Sequence, residues 1–178
     1  AERYFEAYSG AIGAVAAVAG QGHSVSVKLS ALHPRYEVAQ RERCVPALID
    51  RVAALAQGAA QAGIGLTIDA EESERLEMSL DIIEAVAGLP ALSGWEGLGM
   101  AVQAYGKRAR PTVAWANALA KRTKRTLAVR LVKGAYWDTE IKRTQEQGLA
   151  DYPLFTRKAA TDVCYLACAK DMLAASHI

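Results

Sequence analysis

The sequence predicts an α/β protein of the (β/α)8 TIM-like barrel class, with about half of the barrel present. Three observations predict it. Four β-type runs each lead into a helical pattern, the mark of parallel strands joined by crossover helices. In every run a small residue is followed two positions later, on the same face, by a polar one. The last run leads into Arg130-Leu131-Val132-Lys133-Gly134-Ala135-Tyr136-Trp137-Asp138, which brings cations, a glycine and two aromatics to a strand-to-helix loop. Such loops are where a barrel enzyme keeps its chemistry, and a backbone without Cβ can approach a ligand closely.

The elements follow in order. A helix opens the chain over about residues 2–19. The first strand is Val25 to Ser30, followed by a helix from about Ala39 to Ala62. The second strand is Ile64 to Ala70, with a helix through Ala87. The third is Leu98 to Tyr105, and Pro111 is placed as the first residue of the next helix. The fourth is Thr126 to Val132, followed by a helix from Asp138 to Gln147 and another from about Phe155 to Ala175. The stub Ser176-His177-Ile178 closes the sequence.

Parity within the strands separates two faces. Val25/Val27/Leu29, Leu66/Ile68, Met100/Val102 and Leu127/Val129/Leu131 are apolar and suit packing against outer helices. Ser26/Lys28, Thr67/Asp69, Ala101/Gln103 and Ala128/Arg130 form the other face, polar toward the C-terminal end. One shared polar site at a barrel mouth explains this repetition. An open doubly wound sheet is the competitor; its strands, covered on both faces, would read as more continuously apolar. A complete barrel needs roughly 250 residues. The chain is therefore expected to be an internal piece of a longer polypeptide, a partial barrel domain over residues 1–178 without its N-terminal and C-terminal parts.

The 178 residues are 52% hydrophobic, enough for a sizeable core. A formal net charge of +2 gives no strong reason to expect nucleic acid or an acidic membrane. The cysteines are Cys44, Cys164 and Cys168. An odd number without framework spacing argues against a secreted disulfide scaffold and fits a reducing compartment. Cys164 and Cys168, at i,i+4 in a helical pattern, read as buried apolar thiols rather than half a metal site. No metal is predicted. The longest apolar stretch, Ala11 to Ala19, is too short for a bilayer and lacks a basic n-region. A cytoplasmic location is expected.

Lys28, Asp69, Gln103 and Arg130 make a ring of two cations, an anion and an amide. Its excess positive charge suits a carboxylate or phosphate. The plain alternative is an internal salt bridge, Lys28–Asp69 or Arg130–Asp69, filling the barrel. Lys133 is either a Schiff-base nucleophile, which needs a depressed pKa, or a solvated or phosphate-facing cation. Tyr136 and Trp137 either stack on a ring-shaped ligand or pack the loop. His33, before Pro34, reads as a turn. The basic runs Lys107-Arg108-Ala109-Arg110 and Lys121 to Arg125 read as a solvated face. Glu71, Glu72, Glu74 and Glu77, at a helix start, read mostly as capping and solvation.

The segments Lys28 to Tyr36, Asp69-Ala70-Glu71-Glu72, Gln103-Ala104-Tyr105, Arg130 to Asp138, Phe155-Thr156-Arg157-Lys158 and Asp162 to Lys170 resemble the proline dehydrogenase domain of bacterial bifunctional proline utilisation flavoenzymes. The resemblance runs through essentially the whole chain, and several long motifs in series are more specific than one short pattern. It implies a distorted (β/α)8 barrel holding FAD. The implied reaction is oxidation of L-proline to Δ1-pyrroline-5-carboxylate, with hydride passing to the flavin N5 and electrons onward to a quinone. Arg130 is implied beside the flavin N5 edge, with Gln103 hydrogen-bonding the flavin. Val132, Lys133 and Gly134 are implied at the ribityl and phosphate region, Trp137 at the cofactor, and Thr156 and Lys158 toward its adenosine end. Lys28 is implied at the proline carboxylate, Asp69 as organiser of the charges at both cofactor and substrate, and Tyr136 as the substrate's cover. The resemblance further implies an oligomeric parent with peripheral membrane contact, fused to an NAD-dependent aldehyde dehydrogenase domain. The 178 residues alone are expected to be inactive, since half the barrel is missing and the resemblance implies that the main carboxylate clamp, an arginine pair, lies on a C-terminal helix not present. Two other functions compete: a Schiff-base or phosphate-binding barrel lyase using Lys133, and a noncatalytic scaffold segment.

Overall fold

The computed structural model describes residues 1–18 and 22–178. Its elements are α1 (Glu2–Val18), β1 (Ser24–Val27), α2 (Leu29–Leu32), α3 (Arg41–Gln61), β2 (Gly65–Ile68), α4 (Leu76–Ala87), β3 (Leu98–Gln103), α5 (Ala109–Arg122), β4 (Ala128–Val132), α6 (Trp137–Glu146) and α7 (Lys158–Leu173). The four strands form one parallel sheet in the order β1-β2-β3-β4. A doubly wound sheet reverses its strand order at a switch point; this one does not, and its topology is that of a partial (β/α)8 barrel.

The apolar parity drives the packing. Val27, Leu66, Ile68, Leu98, Met100 and Val102 are buried in one core with Leu48, Val52 and Leu55 of α3, Ile82, Ile83 and Val86 of α4, and Val113, Ala116 and Leu119 of α5. Val129 and Leu131 of β4 are only half-buried against that core. The opposite face carries Ser26, Thr67, Gly99 and Ala128 in one cross-strand row. A Cβ on Gly99 would meet the Ala128 carbonyl at 2.9 Å and the Thr67 hydroxyl at 3.0 Å, so this row has room for no larger residue there.

Several predicted boundaries move. The first strand ends at Val27, and Lys28 becomes the N-cap of the short α2. Leu29 and Leu32, three apart on one helical face, are both buried, and that burial outweighs continuing the strand. Pro111 is the third residue of α5, not the first. It still falls in the first turn, where a missing N–H costs no intrahelical bond. The helix predicted from Ala39 starts at Arg41, after a 3-10 turn at Val38–Gln40. The helix predicted from Phe155 starts at Lys158; ahead of it, Phe155 N–H donates to the Tyr105 carbonyl at 2.7 Å. The predicted end of the first helix, Ala19, lies outside the described residues. The terminal stub lies beside β4, with Leu127 N–H donating to the His177 carbonyl at 2.9 Å.

Cys44, Cys164 and Cys168 are free and buried, as the helical spacing of Cys164 and Cys168 predicts for that pair. Among the described residues no helix is long and apolar enough to cross a membrane.

Candidate active site

Asp69 sits one residue beyond β2, at the C-terminal mouth of the sheet. Its carboxylate takes two cations. Lys28 Nζ donates to Oδ2 at 2.8 Å, and Arg130 Nη2 donates to Oδ1. Arg130 Nη1 also donates to Ser26 Oγ at 2.9 Å. Arg130 thus reaches from β4 to β1. In a flat sheet that is three strand spacings, about 14 Å, beyond one arginine side chain. The contact needs a sheet curled toward this face, as in a barrel. It also needs a small residue in the way, and Ala101 of β3, the cross-strand partner of Arg130, provides it.

The salt-bridge alternative is therefore realised twice on one carboxylate, but not as a buried plug. The Asp69 side chain is 15% exposed, whereas Lys28 and Arg130 are 50% and 48% exposed. Two cations sharing one anion leave a positive unit open to the cleft. The Asp69 hydrogen bond, opposed by a smaller burial effect, raises the Lys28 pKa. Burial, its largest cause, raises that of Tyr136.

Gln103 braces two loops. Its Nε2 donates to the Glu71 carbonyl at 2.9 Å, and its Oε1 accepts from Ala135 N–H at 3.0 Å. Glu71 in turn accepts the Ser30 N–H at 3.0 Å and pairs with Arg75 at 3.4 Å. Its side chain is 5% exposed, so capping and solvation do not describe it. Glu77, at 73%, does fit that description. No alternating pattern marks Glu71, since it lies outside any strand.

The cleft at Asp69 has a volume of roughly 330 Å³ and is lined by Lys28, Gln103, Arg130, Val132 and Tyr136, among others. It shares Lys133 and Gly134 with a second cleft of roughly 460 Å³ lined by Tyr105, Trp137, Thr156, Lys158 and Thr161. Every residue placed in the site from sequence thus lines one of two adjoining clefts. Lys133 and Lys158 both donate to Asp162, each at 2.6 Å. This repeats, at the far end, the pattern of two cations on one carboxylate. Asp162 was not singled out by sequence; its i,i+4 spacing to Lys158 is the signal that could have found it.

The same geometry corrects the nucleophile reading of Lys133. Its hydrogen bond to Asp162 raises its pKa, whereas a Schiff-base lysine needs it depressed. Trp137 Nε1 donates to the Phe155 carbonyl at 3.0 Å while its ring lines the second cleft. His33 Nδ1 accepts Arg35 N–H at 3.1 Å in the predicted turn. In the basic runs Lys107, Arg110 and Arg122 pair with Asp151, Asp171 and Glu84, as a solvated face does.

The clefts suit a flavin dinucleotide by their donor chemistry. Cations stand at both ends, an aromatic ring lies between them, and the Tyr105 hydroxyl is buried with no hydrogen-bond partner. Among the described residues no group of three or more His, Cys, Asp or Glu could hold a metal ion.

Comparison with known proteins agrees. The family model described as "Proline dehydrogenase" matches residues 1–178. The bifunctional protein PutA of Salmonella typhimurium is 48% identical over 183 residues covering 100% of this chain, and that of Rhizobium meliloti is 53% identical over 170 residues covering 93%. The chain spans 14% of the length of each. Among solved structures, proline utilization A of Bradyrhizobium japonicum superposes with a TM-score of 0.94 at 52% identity, covering 97% of this chain and 18% of that one. Proline utilization A of Bdellovibrio bacteriovorus, inactivated by N-propargylglycine, gives 0.90 at 25% identity, covering 98% and 20%. By sequence, fold and the run of its motifs, the chain belongs to the proline dehydrogenase family.

Proposed function

We propose that the polypeptide carrying this sequence oxidises L-proline to Δ1-pyrroline-5-carboxylate with bound FAD, and that residues 1–178 form part of its catalytic barrel. The observation that carries the reading is the Lys28–Asp69–Arg130 constellation at the mouth of a cleft that continues to Lys133, Asp162 and Lys158. FAD, when bound, supplies the two-electron acceptor.

The chain's own residues bind, orient and tune. Asp69 fixes two cations so that neither swings into solvent. Lys28 takes the substrate carboxylate. Arg130 places a permanent positive charge where negative charge develops on the cofactor side of the site, which favours electron transfer. Gln103, held by Glu71 and Ala135, presents a rigid amide to the flavin. Val132, Lys133 and Gly134 line the ribityl and phosphate region, Trp137 flanks it, and Thr156 and Lys158 extend toward the adenosine end. Tyr136, whose hydroxyl stays neutral, covers the substrate. A quinone as onward acceptor, peripheral membrane contact and oligomeric assembly belong to the same reading. So does a second, NAD-dependent aldehyde dehydrogenase activity, which the relatives' designation as bifunctional supports.

The test is the visible spectrum of the purified full-length protein before and after anaerobic L-proline. An oxidised-flavin spectrum that bleaches with proline is expected. N-propargylglycine, which inactivated the Bdellovibrio protein, should abolish the bleaching. A flavin that ignores proline would overturn the substrate, and no flavin after FAD is added back would overturn the redox assignment.

A further inference from the structure

Helix α6 is attached to the body differently from its neighbours. It buries no apolar side chain; its two buried residues are Glu140 and Thr144. By contrast α3, α4 and α5 each bury a row of aliphatic residues. Glu140 is 3% exposed. Its carboxylate accepts the Ser73 backbone N–H and, at 2.7 Å, the Ser73 hydroxyl. The nearby cations are engaged elsewhere, Arg108 with Glu77 and Arg143 with Glu74. Thr144 closes the turn by donating to the Glu140 carbonyl at 2.8 Å.

Ser73 is itself pinned, because its carbonyl accepts Arg108. It lies in the loop between β2 and α4, the loop that carries Asp69 and Glu71. Helix α6 begins at Trp137, directly after Tyr136. Charge-assisted bonds from a buried carboxylate are strong and directional; the helix's other ties, Arg143 to Glu74 and Trp137 Nε1 to the Phe155 carbonyl, are made by more exposed side chains. Glu140 therefore ties the aromatic wall of the cleft to its acidic wall.

We infer that Glu140 is a positioning residue: by latching α6 onto Ser73 it fixes Tyr136 and Trp137 over the cleft. The ligand side of this inference rests on the flavin reading above; the latch itself does not. Removing the carboxylate leaves two partly buried donors on Ser73 without that acceptor and loosens the helix.

The test uses the full-length protein with Glu140→Ala, Glu140→Gln and Ser73→Ala. Hydrogen exchange on the cofactor-free protein reads the latch. Amides of α6 should exchange at least about tenfold faster in Glu140→Ala, with α3 and α4 unchanged. Flavin titration and steady-state kinetics read its consequence. FAD affinity should fall about tenfold and KM for L-proline rise, while kcat and the melting temperature move little. Glu140→Gln, which keeps one acceptor, and Ser73→Ala, which keeps the backbone donor, should fall between wild type and Glu140→Ala. Unchanged α6 exchange in all three variants would overturn the latch. Faster exchange with unchanged FAD affinity and KM would overturn its role toward the cleft. If wild-type protein binds no flavin, the functional reading fails and the exchange experiment still decides the latch. If Glu140→Ala does not fold, Ser73→Ala alone decides, since it deletes only one hydroxyl.

Discussion

Arg130 and Lys28 share a carboxylate, yet their substitution should fail differently. On the proposed function, Arg130→Met removes positive charge from where negative charge develops in the transition state. Flavin reduction should slow by more than about tenfold, equivalent to about 1.4 kcal/mol. An unchanged single-turnover rate would remove Arg130 from the mechanism. If Lys28 holds the substrate carboxylate as proposed, Lys28→Met removes a contact made to bound substrate and transition state alike, and should raise KM for L-proline with a smaller change in kcat. The pH dependence follows from the same pair. The folded state holds the Lys28 pKa above its ordinary 10.5. A raised lysine adds stability that is complete below the unfolded value and is lost as pH rises through the folded one. Lys28 therefore stays charged through neutral and mildly alkaline pH. KM should show no inflection from it below about pH 10. An inflection near pH 8 or 9 that Lys28→Met abolishes would contradict the pairing with Asp69.

At the scale of elements, strand parity was the most legible signal. A period of two needs no tertiary information, so Lys28, Asp69, Gln103 and Arg130 read as one face from the sequence alone. Strand ends were less legible. The run Val25 to Ser30 stays β-like to its end, and only the burial of Leu29 and Leu32 turns its tail into a helix. Glu71 and Glu140 were illegible as site elements for a related reason. Each is a surface-type residue made internal by a loop contact, to Ser30 and to Ser73, and no periodicity announces such a contact. Gly134 was singled out for close ligand approach, and the geometry adds a second demand on it. Its φ is +144°, and an added Cβ would collide with the Tyr105 ring. Gly134→Ala should therefore cost about 1–3 kcal/mol of stability, read as a lower midpoint in urea. An unchanged midpoint would mean that the loop and the ring rearrange freely. Such freedom would also conflict with the bond from Tyr105 N–H to the Lys133 carbonyl at 2.7 Å.

Across the whole molecule, charge is arranged by repetition. Two cations meet one carboxylate at Asp69, and two meet another at Asp162. Each group leaves a positive unit facing a cleft, and the clefts adjoin at Lys133 and Gly134. An overall charge of only +2 conceals this local bias. A ligand with negative charge at two separated points would be drawn to it, which suits a substrate carboxylate at one end and a cofactor diphosphate at the other. The cations of the Asp162 group are well exposed, Lys133 at its half-open position and Lys158 more so. Their attraction for phosphate must therefore be screened by salt, since the Debye length shrinks from about 10 Å at 0.1 M to about 3 Å at 1 M. FAD affinity of the cofactor-free protein should fall several-fold between low and high salt, roughly 0.05 to 0.5 M. Combining Lys133→Ala with Lys158→Ala should weaken binding at low salt and flatten that dependence. The Arg130→Met variant, whose charge lies at the other end, should keep most of the slope. If the double variant retains the wild-type slope, the diphosphate is held elsewhere and the second cleft serves another end of the cofactor.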